Sequence, residues 1–148
     1  MIYKIVLILV IGLGAFMFYK NNSTPAYLGL KNNQLAPMPS SPNAVSSQTD
    51  IEEKKVNPLS FTSIDDAKKN VKRVFAQLPN NSVEVENDNY MHVIFTTDTM
   101  RFHDDVELFF DLENQIIHYR SQSRVGYSDR GLNKTRYEQF SELYNDLN

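Results

Sequence analysis

A group of acidic, basic and histidine side chains between residues 103 and 120 contains this sequence's best candidates for chemistry. His103, Asp105 and Glu107 alternate, so in a β-strand they point to the same face. A histidine beside carboxylates can transfer protons or coordinate a metal ion. We favour the simpler interpretation, in which these are ion-paired charges on a solvated sheet face. We therefore predict no catalytic residue and no metal ligand, and only a candidate polar cluster: His103, Asp104, Asp105, Glu107 and Arg120.

A second polar stretch, residues 120–136, is rich in hydroxyl, glycine and arginine residues. It is predicted to be a strand end, a loop and a helix start. Free amides at a helix N-terminus attract anions, so one interpretation is a pocket for phosphate or carboxylate. In the other, which we favour, Ser128 or Asp129 caps the helix and Arg124 pairs with a carboxylate such as Asp105. The candidate ligand-binding residues are Arg124, Ser128, Asp129, Asn133 and Arg136.

Two amphipathic helices are predicted to flank these polar residues. Ser63, with Asp66 three residues later, forms a variant of the capping box at the start of the first helix. The residues 79–81, Pro-Asn-Asn, stop that helix. The second begins near Asn133. The apolar stripes expected to face the core are Ile64, Ala67, Val71, Val74, Phe75 and Leu78 in the first helix and Tyr137, Phe140, Tyr144 and Leu147 in the second.

Between the helices the sequence predicts two β-hairpins. In the second hairpin, a two-residue turn at 113–114 sets Glu107 opposite Arg120, and opposite charges in that position support the register. In the first, a three-residue turn at 87–89 keeps the apolar residues on one face, because register follows the buried face. The apolar set predicted for the first hairpin is Val83, Val85, Met91, Val93 and Phe95.

These elements predict an α+β fold in which a four-stranded antiparallel sheet has two helices packed on one face, preceded by a single transmembrane helix. We divide the chain into an anchor at residues 1–20, a Pro/Ser/Asn-rich linker at 21–62 and an α-β-β-β-β-α domain at 63–148. The linker is expected to pack partly on the domain from about residue 28. The sheet face away from the helices is expected to be polar and exposed to solvent.

The N-terminus carries the clearest signal, because Ile5–Phe18 contains no polar side chain. At about 1.5 Å per residue, residues 2–19 extend roughly 27 Å, close to the thickness of a bilayer core. A cleaved signal peptide is the alternative, but the large side chains at residues 16–19 make a poor cleavage site. We expect a single-pass membrane protein with its C-terminal domain periplasmic or otherwise extracytoplasmic.

Composition excludes several functional classes. The 148-residue chain has 15 basic and 18 acidic residues, a formal net charge of -3 and no cysteine. The charge balance gives no reason to expect nucleic-acid binding. Thiolate catalysis and disulfides are excluded. Because no P-loop, dinucleotide-binding glycine pattern or zinc motif occurs, no cofactor is predicted.

Two stretches of the chain resemble a bacterial and plastid family known as domain of unknown function 1499. One runs from Leu28 to Ser47, and the other from Phe102 to Arg136, including the run RSQSRVGYSD at 120–129. The resemblance covers roughly residues 28–145. It implies a small α+β domain, often with an N-terminal export segment or anchor, and no known reaction. Typical members carry cysteines at the positions of Met38 and Ala44, so any role of that pair is absent from this chain.

These observations favour a non-enzymatic binding or interaction module of the bacterial envelope. Its expected partners are the membrane, through the N-terminal helix, and an envelope protein or small anionic ligand. The alternative is a small hydrolase-like enzyme or an anion-binding protein that uses the polar strand-loop-helix region. A purely structural role for that region is the third hypothesis.

Overall fold

The computed structural model describes residues 2–148 of the chain. Within them lie three α-helices, namely α1 (Ile2–Asn22), α2 (Ile64–Gln77) and α3 (Leu132–Asn145). The strands are β1 (Ala44–Ser46), β2 (Leu59–Ser60), β3 (Asn81–Glu86), β4 (Tyr90–Thr96), β5 (His103–Asp111) and β6 (Ile116–Ser123). A short 3₁₀ turn at Glu52–Lys54 separates β1 from β2. The α+β class predicted from the sequence is confirmed.

The sheet has six antiparallel strands, so the predicted count of four is wrong. Strands β3 to β6 form the predicted meander, and β1 and β2 both pair with β6 along its other side. Both added strands come from residues 21–62, the segment predicted as a linker. They are two or three residues long and β1 is buried throughout, so neither shows the alternation by which a strand is recognised in a sequence.

The predicted register of the β5–β6 hairpin is confirmed. Glu107 lies opposite Arg120, and Phe110 lies opposite Ile117. The β3–β4 hairpin follows the predicted register only at its far end, where Val83 pairs with Val93. A β-bulge then shifts the pairing by one residue, so that Val85 faces His92 instead of Met91.

Strand β3 is the outer edge of the sheet, and it is more exposed than the hairpin pattern predicts. The side chains of Val83 and Val85 are 43% and 40% exposed, so placing them with the buried set was wrong. The buried apolar residues of the neighbouring strand are Met91, Val93 and Phe95, as predicted.

Helices α2 and α3 pack on the same face of the sheet, as predicted. The Ser63 hydroxyl accepts a hydrogen bond from the Asp66 amide at 3.4 Å, which is the expected cap of α2. The rings of Phe75 in α2 and Phe140 in α3 lie 5.1 Å apart above the sheet. The core between the helices and the sheet also includes Val71, Val74, Val93, Val106, Leu108, Phe110, Ile117, Tyr119 and Tyr144.

The opposite face of the sheet is also covered, contrary to the prediction that it is solvated. Residues 23–38, hereafter the strap, run from the end of α1 across this face. Leu30 and Leu35 of the strap pack against Tyr90 and Phe109 of the sheet. The prediction failed because the strap has no regular secondary structure, so no periodic pattern reveals that it covers a surface.

Helix α1 is long and apolar enough to cross a membrane, although a signal sequence has the same character. Its apolar side chains are exposed along most of its length. Its C-terminal end lies against the domain, where Asn21 is 7% exposed.

Candidate functional site

The candidate site lies beneath the strap, on the face of the sheet that carries Asp105 and Glu107. These two carboxylates are consecutive on this face of β5, and Arg120 of β6 lies directly opposite Glu107. Asp105 and Glu107 are fully buried, and Arg120 is 1% exposed. We call this set the strap-face network: Tyr27, Tyr90, His92, Asp105, Glu107, Arg120 and Arg124.

Asp105 accepts hydrogen bonds from three side chains. Arg124 donates two of them, from Nε at 2.9 Å and from Nη2 at 2.7 Å, in a bidentate ion pair. His92 Nε2 lies 2.8 Å from Oδ1, and the Tyr27 hydroxyl donates to Oδ2 at 2.9 Å. Burial alone would raise the pKa of Asp105, but the hydrogen bonds from His92 and Arg124 outweigh it and lower that pKa below its usual value.

The Glu107 carboxylate accepts hydrogen bonds from side chains of the sheet and from the backbone of the strap. It accepts from the Tyr90 hydroxyl at 2.8 Å and from Arg120 Nη1 at 3.0 Å. The backbone amide of Gly29 donates to it at 2.9 Å. Gly29 has a φ of 98°, in the region that favours glycine, so a side chain there would strain the turn that delivers this amide.

Arg120 is held by four different groups. Besides Glu107, its Nε donates to the Ala36 carbonyl of the strap at 2.9 Å, and another nitrogen donates to Gln122. Its guanidinium lies 4.6 Å from the centre of the Tyr27 ring, a cation–π contact. Burial and the nearby Asp105 carboxylate raise the pKa of Tyr27 far above its usual range, so Tyr27 acts as a hydrogen-bond donor.

Arg124 connects this network to the end of α1. Its Nη1 donates to the Asn21 carbonyl at 3.0 Å while its other two nitrogens hold Asp105. The Asn21 side chain donates to the Arg101 carbonyl at 2.9 Å and accepts from the His103 amide at 2.8 Å. The His103 ring lies 3.0 Å from the Asn21 carbonyl. The last turn of α1 is therefore hydrogen-bonded directly to the sheet and to the loop before β5.

Each charged side chain of the strap-face network has a hydrogen-bonded partner. Two carboxylates face two guanidiniums, and each carboxylate pairs with one of them. A buried ion pair is tolerated only when its remaining donors and acceptors are satisfied, which the tyrosines, His92 and the strap achieve here. Acid-base catalysis requires a proton donor or acceptor within reach of a substrate, and here the strap lies between these groups and solvent.

A second polar cluster occupies the opposite face of the sheet, at the start of α3. Arg136 Nη2 donates to Asp104 Oδ2 at 2.8 Å, and its Nη1 donates to the Asn133 side chain at 2.8 Å. Asn133 in turn donates to the Asn43 carbonyl at 3.0 Å and to Ser123 at 3.1 Å. This helix-face cluster, defined as Asn43, Asp104, Ser121, Ser123, Asn133 and Arg136, joins the strand ends to α3.

The amides at the start of α3 already have a carboxylate partner. Asp129 accepts from the Gly131 amide at 3.0 Å and from the Asn133 amide at 2.8 Å. The Ser128 hydroxyl accepts from the Arg130 amide at 3.2 Å. An anion would have to displace Asp129 to use these donors, so the geometry favours the capping interpretation of this turn.

The structure separates the residues that the sequence grouped. Of the predicted polar cluster, Asp105, Glu107 and Arg120 lie together under the strap, and His103 lies beside them at the end of α1. Asp104 points to the helix face. Of the candidate ligand-binding residues, Asn133 and Arg136 join the helix-face cluster, Arg124 joins the strap-face network, and Ser128 and Asp129 form the turn before α3.

Sequence reasoning missed Tyr27, which belongs to the strap-face network, and Asn21, which binds Arg124 from the end of α1. One signal was available for Tyr27, because an aromatic residue is unusual in a segment otherwise rich in Asn, Ser and Pro. Asn21 follows directly after Lys20 at the end of the apolar segment and gave no such signal. Asn43, which supplies a carbonyl to Asn133, was also missed.

An open cleft lies beside the helix-face cluster, between the β4–β5 loop and the turn before α3. Its volume is about 540 Å³, within the range of small-molecule sites. Its polar lining includes Asp104, Ser123, Ser128, Asp129 and Arg130. Among residues 2–148, no group of three histidine or carboxylate side chains is placed to hold a metal ion.

Comparison with protein families finds one match. Residues 34–143, about three quarters of the chain, match the family model described as "Protein of unknown function (DUF1499)". Comparison with curated proteins finds no match. The matched range contains the whole sheet, α2 and α3 as far as residue 143, but it begins after Tyr27 and Gly29, so part of the strap lies outside it.

Proposed function

Because this chain belongs to the DUF1499 family, a family of unknown function, we propose its role from the geometry. We propose that it is a non-enzymatic interaction module anchored in a membrane by α1, with its domain held at the membrane surface outside the cytoplasm. The observation that carries this proposal is the position of Arg124, which binds the buried Asp105 and the end of α1 at the same time.

The contacts of Asn21 support a retained anchor over a cleaved signal. Cleavage after Asn21 would remove a residue that binds the backbone of Arg101 and His103 and the side chain of Arg124. Cleavage immediately before Asn21 would leave a charged amino group on a residue that is 7% exposed, and burying an unpaired charge is costly.

The closure of the strap-face network supports a non-enzymatic role. A substrate could reach Asp105 or Glu107 only after the strap left the sheet, which would break the hydrogen bonds of Tyr27, Gly29 and Ala36. These bonds also join the anchor to the domain. The network is therefore better suited to fixing the domain beside the membrane than to turning over a substrate.

Strand β3 supports interaction with a partner protein. It pairs with β4 on one side and lies at the end of the strand order, so its other side is a sheet edge. Val83 and Val85 are exposed on this strand. An extended segment of another protein can add to such an edge through main-chain hydrogen bonds.

The location is tested with single cysteines, because the natural chain contains none. Asp88→Cys, in the exposed β3–β4 turn, should react with a membrane-impermeant maleimide on spheroplasts or intact cells without lysis. The intact mass of the membrane-bound protein should include α1. Labelling only after lysis, or a mass lacking α1, would contradict the proposed location.

The interaction surface is tested by placing a photo-crosslinking amino acid at Val85 in the full chain within its own membranes. The matched control is Leu112, which is exposed in the β5–β6 turn. We expect a discrete adduct from position 85 that a Val83→Lys change abolishes, and none from position 112. Identical adduct patterns at both positions would reject β3 as the interaction surface.

A second candidate function is the binding of a small ligand in the cleft beside the helix-face cluster, favoured by its volume and by the position of Arg130 on its rim. The probe is inorganic phosphate, and its binding to the full chain in detergent is measured by titration calorimetry. Arg130→Ala should abolish binding, while Arg73→Ala, which removes an exposed arginine from α2, should not. Equal heats for the two variants would exclude this candidate.

A further inference from the structure

A groove of about 510 Å³ lies between the last turns of α1 and the loop that joins β4 to β5. Gly14, Met17 and Phe18 line it on the helix side. Met100, Arg101 and Phe102 line it on the loop side. The groove therefore has an apolar surface on both walls and a cationic side chain on one of them.

The loop is fixed against the helix. The Asn21 side chain donates to the Arg101 carbonyl at 2.9 Å, and the Phe102 amide donates to the Thr97 hydroxyl at 2.9 Å. Arg101 has a φ of 54°, in the left-handed region that residues other than glycine seldom adopt. The contacts to Asn21 and Thr97 hold the loop in this conformation, so the position of Arg101 beside the helix is built into the fold.

The groove extends from Asn22 back to Gly14, which is about 12 Å along a helix at 1.5 Å per residue. If α1 spans a bilayer, this part of it lies between the headgroups and the outer acyl chains. The loop would then enter the same layer. Met100 is 64% exposed, as expected for a side chain that contacts lipid instead of protein.

We infer that this groove binds a phospholipid of the membrane in which α1 is anchored. Its acyl chain lies against Met17, Phe18 and Met100, and its phosphate pairs with Arg101. The walls match the two parts of such a lipid, because Met17 and Phe18 lie nearer the middle of α1 than Asn21, while the backbone of Arg101 is hydrogen-bonded to Asn21 at the end of the helix. The inference rests on the proposed anchoring, because only a membrane-embedded α1 exposes the groove to lipid.

The test uses single tryptophans, because the natural chain has none. The full chain is reconstituted in liposomes whose phospholipids carry bromine on the acyl chains, which quenches nearby indole fluorescence. Met100→Trp should be quenched strongly. Leu112→Trp, about 30 Å away at the other end of the nine-residue strand β5, should keep its emission.

A third variant, Leu9→Trp in the middle of α1, separates the two proposals. If Leu9→Trp and Met100→Trp are quenched and Leu112→Trp is not, the lipid-facing loop is supported. If Leu9→Trp is quenched but Met100→Trp behaves like Leu112→Trp, the anchor stands and the lipid groove is rejected. If Leu9→Trp is not quenched, the anchoring proposal fails and the groove fails with it.

Lipid selectivity gives a second, independent readout. Native mass spectrometry of the full chain, extracted gently from liposomes of mixed zwitterionic and anionic lipid, should show bound anionic phospholipid. Arg101→Ala should lower its occupancy about fivefold, the effect expected of one arginine beside an anionic surface. The control is Arg73→Ala, which removes an exposed arginine from α2, away from the groove. Equal occupancy in both variants would overturn the role of Arg101.

Discussion

Asp104 and Asp105 are neighbours in the chain, yet they serve two different faces of the same sheet. Asp104 pairs with Arg136 of α3 on the helix face, and Asp105 pairs with Arg124 beneath the strap. Both pairs are buried, and each fixes a covering element to the sheet. The two pairs differ in the element that covers them. A regular helix covers the pair of Asp104, and an irregular segment that follows α1 covers the pair of Asp105.

This difference shows where the fold depends on polar contacts. On the helix face, the core includes aromatic and aliphatic residues of α2, α3 and the sheet, so α3 would keep much of its packing without Asp104. On the strap face, the apolar contacts reduce to a small cluster of Leu30, Leu35, Tyr90 and Phe109. The strap must therefore depend on its hydrogen bonds to the charged network more than α3 depends on its ion pair with Asp104.

The largest expected effect is that of Asp105→Asn, which keeps the shape of the side chain and removes its charge. Arg124 would remain buried without its counter-ion, and breaking a buried pair in this way costs about 3–5 kcal/mol. The free energy of unfolding of the full chain in detergent micelles should fall by that amount. Asp88→Asn, in an exposed turn, should leave it unchanged. A loss no greater than that of Asp88→Asn would mean that the strap-face network does not stabilise the fold.

Acid should reproduce part of that loss in the natural chain. The pKa of Asp105 is lowered in the folded state by His92 and Arg124, which, with Tyr27, are the groups that face it. A depressed pKa contributes stability above the unfolded value of about 3.9, and this contribution is lost as the pH falls through the folded value.

The measurement is the difference in unfolding free energy between the natural chain and Asp105→Asn as a function of pH. The difference should be constant well above pH 4 and should narrow below it, because the Asp105 carboxyl of the unfolded natural chain then takes up a proton, and the folded chain follows at lower pH. If the difference in unfolding free energy does not change on acidification, the charge of Asp105 does not stabilise the fold.

On the helix face, Asp104→Asn should cost less, about 1–3 kcal/mol. Arg136 would keep its hydrogen bond to Asn133 and its position 4.5 Å from the centre of the Phe95 ring. Its side chain is also 9% exposed, so water can solvate part of the freed charge. Chemical unfolding of Asp104→Asn and Asp105→Asn under the same conditions checks the order. An equal loss on both faces would remove the distinction between the two covers.

Sequence reasoning predicted the regular elements well. It expected the segment from about residue 28 to pack on the domain, but it left the face that this segment covers exposed to solvent, and the two faces show why. The stripes of α2 and α3 and the register of β5 with β6 depend on periodic burial, which leaves a pattern in the chain. The register even placed Glu107 opposite Arg120. The strap bonds to the sheet through backbone groups of Gly29 and Ala36, and backbone groups have no sequence signature.

The sequence indicated which strand of the sheet carries the polar residues of this region, but not how they are arranged or covered. Alternation along β5 places Asp105 and Glu107 on one face, and this was read correctly from the sequence. Whether that face is open or covered depends on contacts between residues about 80 positions apart, such as Tyr27 with Asp105. Such contacts form only when the whole chain folds, so local patterns cannot reveal them.

The connection between α1 and the sheet should respond to Asn21→Ala with a smaller loss of unfolding free energy, about 1–2 kcal/mol. The His103 amide would lose its partner, and a buried amide without a partner is costly. Hydrogen exchange should accelerate at the amides of Arg101 and His103. Asn22→Ala is the matched control, because the Asn22 side chain bonds only to Phe18 of its own helix. Similar exchange rates in the two variants would mean that α1 is not coupled to the sheet.

The smallest effects come from removing one hydroxyl on each face, and they should have opposite signs. The Tyr119 hydroxyl, fully buried on the helix face, has no hydrogen-bond partner within residues 2–148. Tyr119→Phe removes an unsatisfied polar atom and should stabilise the fold by about 1 kcal/mol. Tyr90→Phe removes a hydroxyl that donates to Glu107, and it should destabilise the fold by about the same amount.

Thermal unfolding of the two variants beside the natural chain measures both signs in one experiment. The substitution is chemically identical, so differences in ring packing or in the unfolded state largely cancel. A rise in Tm for Tyr119→Phe with a fall for Tyr90→Phe would mean that the strap face depends on satisfied polar groups while the helix face depends on apolar packing. A fall of equal size for both would mean that the Tyr119 hydroxyl has a partner in solution, and the two faces would then differ only in the regularity of their covers.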